Sequence, residues 1–489
     1  MNAQIVRLYA LVLLLFVGLV AFTSRWAVLE ADELDENSQN RRPLIEEQQI
    51  ERGTITSADG VLIAESLRAG GGVFVRNYPQ GALFGNPVGY SFVEVGRTGV
   101  EQAENDLLSG EQNEFASIID ELSGTTREGA DITLTLDANA QRVALDALES
   151  ALASTSGTTG AGAVVALEPD TGAIKVMASV PGFDPNAVQN EGEFSRLSEQ
   201  GTEAGLFNRA LQSTFEPGST MKVVTAVAAL DSGEFEPSTT LTANSGIEIS
   251  GFPLANSGGA DFGTIDMTTA LTNSVNTYWA QVGEALGPET MVSYMERFGF
   301  YADPELNFQD DQMAASGVLN AEGNLVREGF DVGRVAIGQG GAEGQLRSTP
   351  MQMAQVAGAV ANDGKLMEPT FLQEATDPDG RQIEELDPDE QSEVMSEETA
   401  AQVTEMMTNV ANEGTAAGLT TTLGQLAGKT GTAEIDVAQS LNRPWFIGFA
   451  PAEDPQIAIA AMLERCTGCF GGEVAGPVAM QVMDALAGG

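Results

Sequence analysis

A serine placed three residues before a lysine is the first pairing in this sequence with chemical potential: Ser219 and Lys222, within Glu216-Pro217-Gly218-Ser219-Thr220-Met221-Lys222. Pro217 and Gly218 end a turn, and a helix is predicted to start near Ser219. Positions i and i+3 share a helix face, so hydroxyl and amine can meet. At a helix N-terminus, backbone N–H groups and the helix dipole favour developing negative charge. A buried lysine can lose its proton and act as a base, which gives a nucleophile with its activator. The sequence contains no histidine, so Ser-His-Asp and Cys-His mechanisms and His-ligated metal sites are excluded. It has only four lysines, Lys175, Lys222, Lys365 and Lys429, and the remaining cations are arginines, which do not deprotonate. Only Lys222 among the four has a serine three residues before it. The plain alternative is an N-cap serine beside an unrelated surface lysine.

Two further strings follow in order. Lys429-Thr430-Gly431-Thr432 lies in a stretch from Leu426 that reads as an edge strand. A strand edge offers backbone hydrogen bonds to an extended peptide. Gly431 removes a side chain where a substrate must come close, while Lys429 and Thr432 bring a cation and a hydroxyl for a carboxylate. Between the two lies Ser274-Val275-Asn276, within Met267–Leu286, a stretch read as helical. The Ser-x-Asn spacing recurs at Ser38–Asn40 and Ser440–Asn442, but only Ser274 falls between the other motifs in an apolar context.

These strings need elements to carry them. Ala163–Leu167 and Ala173–Ala178 flank Pro169-Asp170-Thr171-Gly172 and predict a hairpin. Trp445–Phe449 and Ile457–Leu463, with a turn at Asp454-Pro455, predict another, and a last helix is expected over Pro477–Ala487. Strands at both ends of a long segment with helices between point to an antiparallel sheet completed by the C-terminus. Upstream, Ile132, Leu134 and Leu136 alternate as in a half-buried strand, and a helical pattern follows through Val143, Ala147, Leu148 and Ala151. The run 154–160 has linker composition, so the domains are expected at 1–25, 26–153 and 154–489. Residues 26–50 read as an acidic linker, and Glu374–Glu398 as a solvated loop.

The whole chain has 489 residues, 70 acidic against 23 basic, for a net charge of -47. The length predicts about two to four domains. Nucleic-acid binding needs clustered cations that this chain lacks. Acidity spread along the whole chain fits a surface adapted to salt, against the alternative of a specific cationic partner. Leu8–Ser24 is an uncharged run of spanning length if Arg7 snorkels. It is read as an uncleaved anchor rather than a signal peptide, since Ala21-Phe22-Thr23 is a poor cleavage site. Cys466 and Cys469 are the only cysteines. A lone Cys-x-x-Cys without histidine cannot complete a zinc site, and leaves a structural disulfide, free thiols or redox chemistry.

Ser-x-x-Lys, Ser-x-Asn and Lys-Thr-Gly in this order resemble the motif set of penicillin-recognising serine enzymes. Arg52-Gly53-Thr54-Ile55, Gly96–Glu101, Ala163–Pro181, Asn208-Arg209-Ala210, Gly338-Gln339-Gly340 and Trp445–Pro451 extend the likeness over nearly the whole chain. The sequence resembles the class B penicillin-binding proteins, membrane-anchored D,D-transpeptidases of cell-wall synthesis, of the actinobacterial PbpA type. The resemblance implies an α+β fold: a transpeptidase domain with a five-stranded antiparallel sheet, flanking helices and a helical subdomain. A mixed α/β pedestal and one transmembrane helix would precede it.

It further implies that Ser219 attacks the penultimate D-alanine carbonyl of a stem peptide, with Lys222 as base. Ser274 would relay a proton to the leaving amine, and Asn276 would position the substrate amide. Lys429 would hold the site electrostatically, and Thr430 and Thr432 would engage the terminal carboxylate. Gly431, Gly338, Gln339 and Gly340 would belong to the substrate-binding surface. Backbone N–H groups of Ser219 and Thr432 would form the oxyanion hole. β-Lactams would acylate the same serine, and no cofactor or metal is implied. The pedestal would contact a SEDS-family glycan polymerase in the membrane. The rival readings are a D,D-carboxypeptidase or serine β-lactamase, and a non-catalytic β-lactam sensor or scaffold.

Overall fold

The computed structural model describes residues 2–25, 48–110, 128–203, 205–341 and 344–488. The expected acidic linker lies, up to residue 47, outside the described residues. Helix α1, Asn2–Ser24, contains an 18-residue window of mean hydropathy 2.0 over Arg7–Ser24, none of it buried. Among the described residues it is the one helix long and apolar enough to cross a membrane.

Strands β1 (Ile55–Thr56), β2 (Leu62–Arg68), β3 (Phe74–Asn77) and β4 (Asp131–Leu134) form the N-terminal sheet. β1 pairs antiparallel with β2, β2 antiparallel with β3, and β1 parallel with β4. The two N-terminal motifs meet beside it. Fully buried Glu101 bonds Arg52 at 3.0 Å, Arg76 at 2.6 Å and the Tyr78 hydroxyl at 3.1 Å. Burial pushes the Glu101 carboxyl up, but the Arg76 and Arg52 guanidiniums outweigh it and hold it at about 2.

Helix α2, Ala138–Ser154, follows, with the Asp137 side chain accepting from the Ala140 N–H as its N-cap. It packs against the C-terminal helix and a strand of the second sheet, so the expected division at 153/154 falls behind a helix that packs with the C-terminal unit. The flexible composition of 154–160 marks a surface crossing after the helix has already docked.

The second sheet takes β5 (Gly162–Leu167) and β6 (Ile174–Val180), the predicted first hairpin. The chain then builds a helical region. Helix α3 (Lys222–Asp231) packs on α5 (Asn276–Arg297), and α4 (Met267–Thr272) precedes α5. Helix α6 (Pro350–Ala361) lies on the sheet. The stretch expected to be a solvated loop instead gives β7 (Leu372–Thr376), β8 (Gln382–Glu385), a short strand at Glu390–Glu393 and the start of α7 (Glu397–Glu413). β8 is exposed at all four residues, so the reading of solvation holds while the pairing is carried by backbone. β7 pairs antiparallel with β4, with Ala375 opposite Ile132, and completes the N-terminal sheet in the order β8-β7-β4-β1-β2-β3.

The chain closes with β9 (Ala427–Asp436), β10 (Leu441–Ala450), β11 (Ile457–Leu463), short β12 (Cys466–Thr467) and α8 (Ala475–Leu486). The second sheet runs β9-β10-β11-β5-β6, antiparallel throughout, with β12 added to the start of β10. These are the five expected strands, with β9 at the edge. Every residue of β5 and of β11 is buried, because α2 and α8 pack against the sheet as well as α6.

Candidate active site

Ser219 lies in a 3-10 turn, Gly218–Met221, that opens α3, and is partly exposed. The turn is pinned from below. Gly218 has φ 56°, and its N–H donates to the Gly338 carbonyl at 3.0 Å. A Cβ on Gly338 would stand 1.8 Å from the Gly218 oxygen, so a side chain there would displace the turn. Glu216, which the sequence reading passed over, is tied to Arg347 at 3.0 Å, to Arg443, and to Gln345 Nε2 at 2.8 Å. Its carbonyl accepts from the Trp445 indole at 2.9 Å, which fixes the chain three residues before Ser219 against β10.

Lys222 is fully buried one turn into the helix. Its Nζ lies 2.9 Å from Ser219 Oγ, 2.8 Å from the Ser274 carbonyl, 3.2 Å from Ser274 Oγ and 2.7 Å from Asn276 Oδ1. The Ser274 carbonyl and the Asn276 Oδ1 can only accept. A neutral amine has two hydrogens, and these two oxygens use both, which leaves its lone pair for the Ser219 O–H. Burial, and then the nearby charge of Lys429, lower the Lys222 amine well below its ordinary value. Geometry and electrostatics thus agree on a neutral Lys222 beside the serine hydroxyl.

The stretch Met267–Leu286 was read as one helix, and here the structure differs. It breaks between α4 and α5, and Ser274 sits in the break with φ 56°. The Ser274 N–H reaches the Leu271 carbonyl at 3.1 Å and the Val275 N–H the Ala270 carbonyl at 2.9 Å, which closes α4 with a left-handed residue. The break turns both the carbonyl and the hydroxyl of Ser274 towards Lys222. A continuous helix would have spent that carbonyl on its own ladder.

Lys429 is also fully buried, and its Nζ lies 2.9 Å from Ser274 Oγ and 3.0 Å from the Thr430 carbonyl. Burial lowers it to about 7. Ser274 Oγ therefore stands between two lysines. Lys175 and Lys365 serve elsewhere, in ion pairs with Glu168 at 3.1 Å and Glu390 at 3.4 Å.

Above these groups opens a cleft of about 640 Å³ lined by Ser219, Ser274, Asn276, Gln339, Thr430 and Thr432, among others. Of the predicted surface residues, Gly338 and Gly431 act differently from expectation. A Cβ on Gly431 would meet the Pro217 carbonyl at 2.7 Å and Thr220 Cγ2 at 2.9 Å. The missing side chain admits the turn of Ser219 itself. Gly340 likewise packs on the neighbouring strand, 2.4 Å from the Gly344 oxygen for a built Cβ, and leaves Gln339 as the cleft-lining member of its trio. Sequence reading missed Thr415, whose hydroxyl is 2.5 Å from that of Thr430, and Asn442, set aside with the repeated Ser-x-Asn strings; both line the cleft. Thr415 directly follows Gly414, where α7 ends, and that helix stop was the available signal. Cys466 and Cys469 are joined in a disulfide, the structural alternative among the three.

The sequence pattern of the penicillin binding protein transpeptidase domain matches residues 162–484, and that of the penicillin binding protein A dimerisation domain matches residues 52–132. The peptidoglycan D,D-transpeptidase PbpA of Mycolicibacterium smegmatis is 31% identical over 98% of this chain and 97% of its own. The ceftriaxone acyl-enzyme of penicillin-binding protein A from Mycobacterium tuberculosis superposes with a TM-score of 0.77 at 29% identity, over 90% of this chain and 99% of that one. The D,D-transpeptidase domain of a peptidoglycan glycosyltransferase from Eggerthella lenta gives 0.75 at 30% identity, over 90% and 99%. With a buried lysine against the serine, two lysines on the second serine, and these relatives along nearly its full length, the chain belongs to the penicillin-binding protein transpeptidase family.

Proposed function

We infer that this chain is a peptidoglycan D,D-transpeptidase that cross-links stem peptides through an acyl-enzyme on Ser219 and is acylated there by β-lactams. The observation that carries the reading is the contact of Lys222 Nζ with Ser219 Oγ at 2.9 Å while two acceptors occupy its hydrogens. Ser219 gives its proton to Lys222 as Oγ attacks the penultimate D-alanine carbonyl. The oxyanion is held by the N–H groups of Ser219 and Thr432. Collapse breaks the peptide bond, and the proton passes through Ser274 to the departing D-alanine amine. The amine of a second stem peptide then attacks the ester and gives a proton to Lys222; the ester C–O bond breaks, and Lys222 returns that proton to Ser219 Oγ as the cross-link forms. Asn276 positions the substrate amide. Lys429 keeps a cation beside Ser274, and the hydroxyls of Thr430 and Thr432 meet the terminal carboxylate. Gln339 belongs to the same binding surface, with Gly431, Gly338 and Gly340 supporting it.

In this reading residues 1–25 anchor the chain in the cell membrane, with a short cytoplasmic N-terminus and the bulk outside. Residues 26–153 are a pedestal, residues 154–489 are the transpeptidase, and the pedestal contacts a SEDS-type polymerase. The support is the apolar helix α1 and the family itself. The test uses the full chain in detergent with a fluorescent penicillin, beside Ser219→Ala. A label on Ser219 that persists for hours is expected. Rapid loss of the label means a hydrolase, and a folded protein without label means a scaffold.

A further inference from the structure

The Cys466–Cys469 pair is singled out in the sequence, and the proposed reaction does not use it. After β11 the chain enters β12, which pairs with Leu441 and Asn442 at the start of β10. Cys466 is fully buried and Cys469 is 5% exposed. The bridge encloses Asn442 from two sides. Asn442 pairs through its backbone with Cys466, and its Nδ2 donates to the Cys469 carbonyl at 3.0 Å. The Gly468 N–H is bound to the Ser440 carbonyl at 2.8 Å, so the bridged loop is fixed to the β9–β10 hairpin.

The next residues, Phe470 to Glu473, form one wall of the cleft. Gly471 lies flat on the edge strand, where a Cβ would stand 2.1 Å from the Trp445 oxygen and 2.4 Å from the Gly431 oxygen. Its N–H donates to Thr432 Oγ1 at 3.3 Å. A hydroxyl that accepts this bond keeps its own proton free to be donated to an anion in the cleft. On its upstream side the bridge works together with backbone bonds, among them the Thr467 N–H on the Ser156 carbonyl at 2.7 Å and the Gly468 N–H on the Ser440 carbonyl. Three of the six residues 468–473 are glycines, costly to order, and Phe470 is half exposed. Downstream, the Gly471 carbonyl accepts from the Gly476 N–H at 2.8 Å, where α8 begins.

We propose that the Cys466–Cys469 disulfide is a positioning element of the active site: it holds Gly471 on Thr432 and so orients the Thr432 hydroxyl towards the substrate carboxylate. This rests on the assignment of Thr432 to carboxylate recognition. The bridge makes that recognition dependent on oxidation. Reduction by a phosphine with one water gives two thiols and the phosphine oxide, which releases the upstream end of the wall.

The test measures Ser219 acylation by benzylpenicillin and by its methyl ester, whose carboxylate is masked. It uses the full chain in detergent, oxidised, phosphine-reduced and desalted, and as the Cys466→Ala/Cys469→Ala variant. Mass spectrometry confirms the thiol count. Loss of one neutral hydrogen bond predicts about a fivefold slower second-order reaction with benzylpenicillin, lost in Ks with k2 kept. The ester is expected to react equally with the oxidised and reduced forms, and re-oxidation restores the faster rate. An equal slowing for acid and ester overturns the proposal, since the bridge would then act on the fold or the nucleophile. Unchanged rates overturn it as well. Should the double variant misfold, the reduced wild type decides. Absence of any label on the oxidised protein defeats the transpeptidase reading and this inference together, and is told apart by that pattern.

Discussion

Removing the proton from Lys429 is the perturbation the site makes easiest to interpret. Both lysines are buried, but they lie in different electrostatic positions. Lys222 is lowered well below its ordinary value by burial and then by the charge of Lys429, whereas Lys429 is lowered by burial alone. Lys429 titrates at about 7 in the free protein. The second-order rate of acylation reports the free enzyme. If that cation is needed beside Ser274, the rate falls as pH rises through 7. A group at about 7 is mostly charged at pH 6 and roughly one-tenth charged at pH 8, so the rate drops about tenfold between them. A rising limb, where present, belongs to Lys222, and the two steps are properties of the coupled pair. Stopped-flow acylation with a fluorescent penicillin from pH 5 to 9 reads the profile. Lys429→Met fills the same space without charge and is expected to be slower by about 100-fold at pH 6, with no fall centred near 7. A flat wild-type profile between pH 6 and 8, or the same fall in the Met variant, would refute the reasoning.

The other expectations concern neighbouring parts. Gly431→Ala puts a Cβ 2.7 Å from the Pro217 carbonyl and is expected to slow acylation by about 100-fold, with about 1–3 kcal/mol of lost stability in denaturant unfolding. Retained acylation would show that the turn of Ser219 can yield. Glu101→Gln removes the carboxylate charge, and one of its two acceptor oxygens, between two buried arginines and costs about 3–5 kcal/mol. The ion cluster, with Glu101 held at about 2, also contributes stability that is present above 4.5 and lost as pH falls towards 2. A variant that melts like the wild type at pH 7 and pH 3 counts against that account. Glu104 behaves oppositely: burial, then Glu384 and Asp106, push its carboxyl up to about 7. The folded form binds the extra proton between 4.5 and about 7, so stability falls as pH rises through that window. Glu104→Gln should stabilise by about 2 kcal/mol at pH 8 and hardly at all at pH 4 in urea unfolding, and equal gains at both would contradict it.

What the sequence revealed, and what it hid, follows from where each signal resides. Continuous apolar runs announced β5, β6, β10 and β11, because burial on both faces of the sheet leaves its pattern in side chains. The edge position of β9 was readable from Lys429-Thr430-Gly431-Thr432, and the pairing of Ser219 with Lys222 from helix spacing alone. The break at Ser274 was not, since serine has no intrinsic preference for a left-handed φ. For Gly431 the sequence shows the missing side chain but not the neighbour it admits, since the space is filled by the turn at Pro217, 214 positions upstream. β8 was hidden because an acidic, exposed strand carries no apolar period, and β7, with Ala375 as its one buried residue, because its partner is contributed by distant residues. Thr415 and Glu216 act through contacts with groups far along the chain, which spacing does not encode.

The order in which this sheet can be assembled carries a cost during synthesis. Thr133 of β4 is joined to Glu374 of β7, 241 residues later. At the usual rate of elongation those residues take roughly 10 to 50 seconds to appear. For that interval β4 leaves the ribosome with an open flank, the condition under which strands join the wrong neighbour. A nascent chain halted anywhere before residue 372 cannot close the sheet, so the pedestal matures only after most of the catalytic unit has been made. Acidic side chains on β8, exposed throughout, suit the last strand to arrive: they discourage further strands from adding to it and leave the finished edge unattractive to another copy.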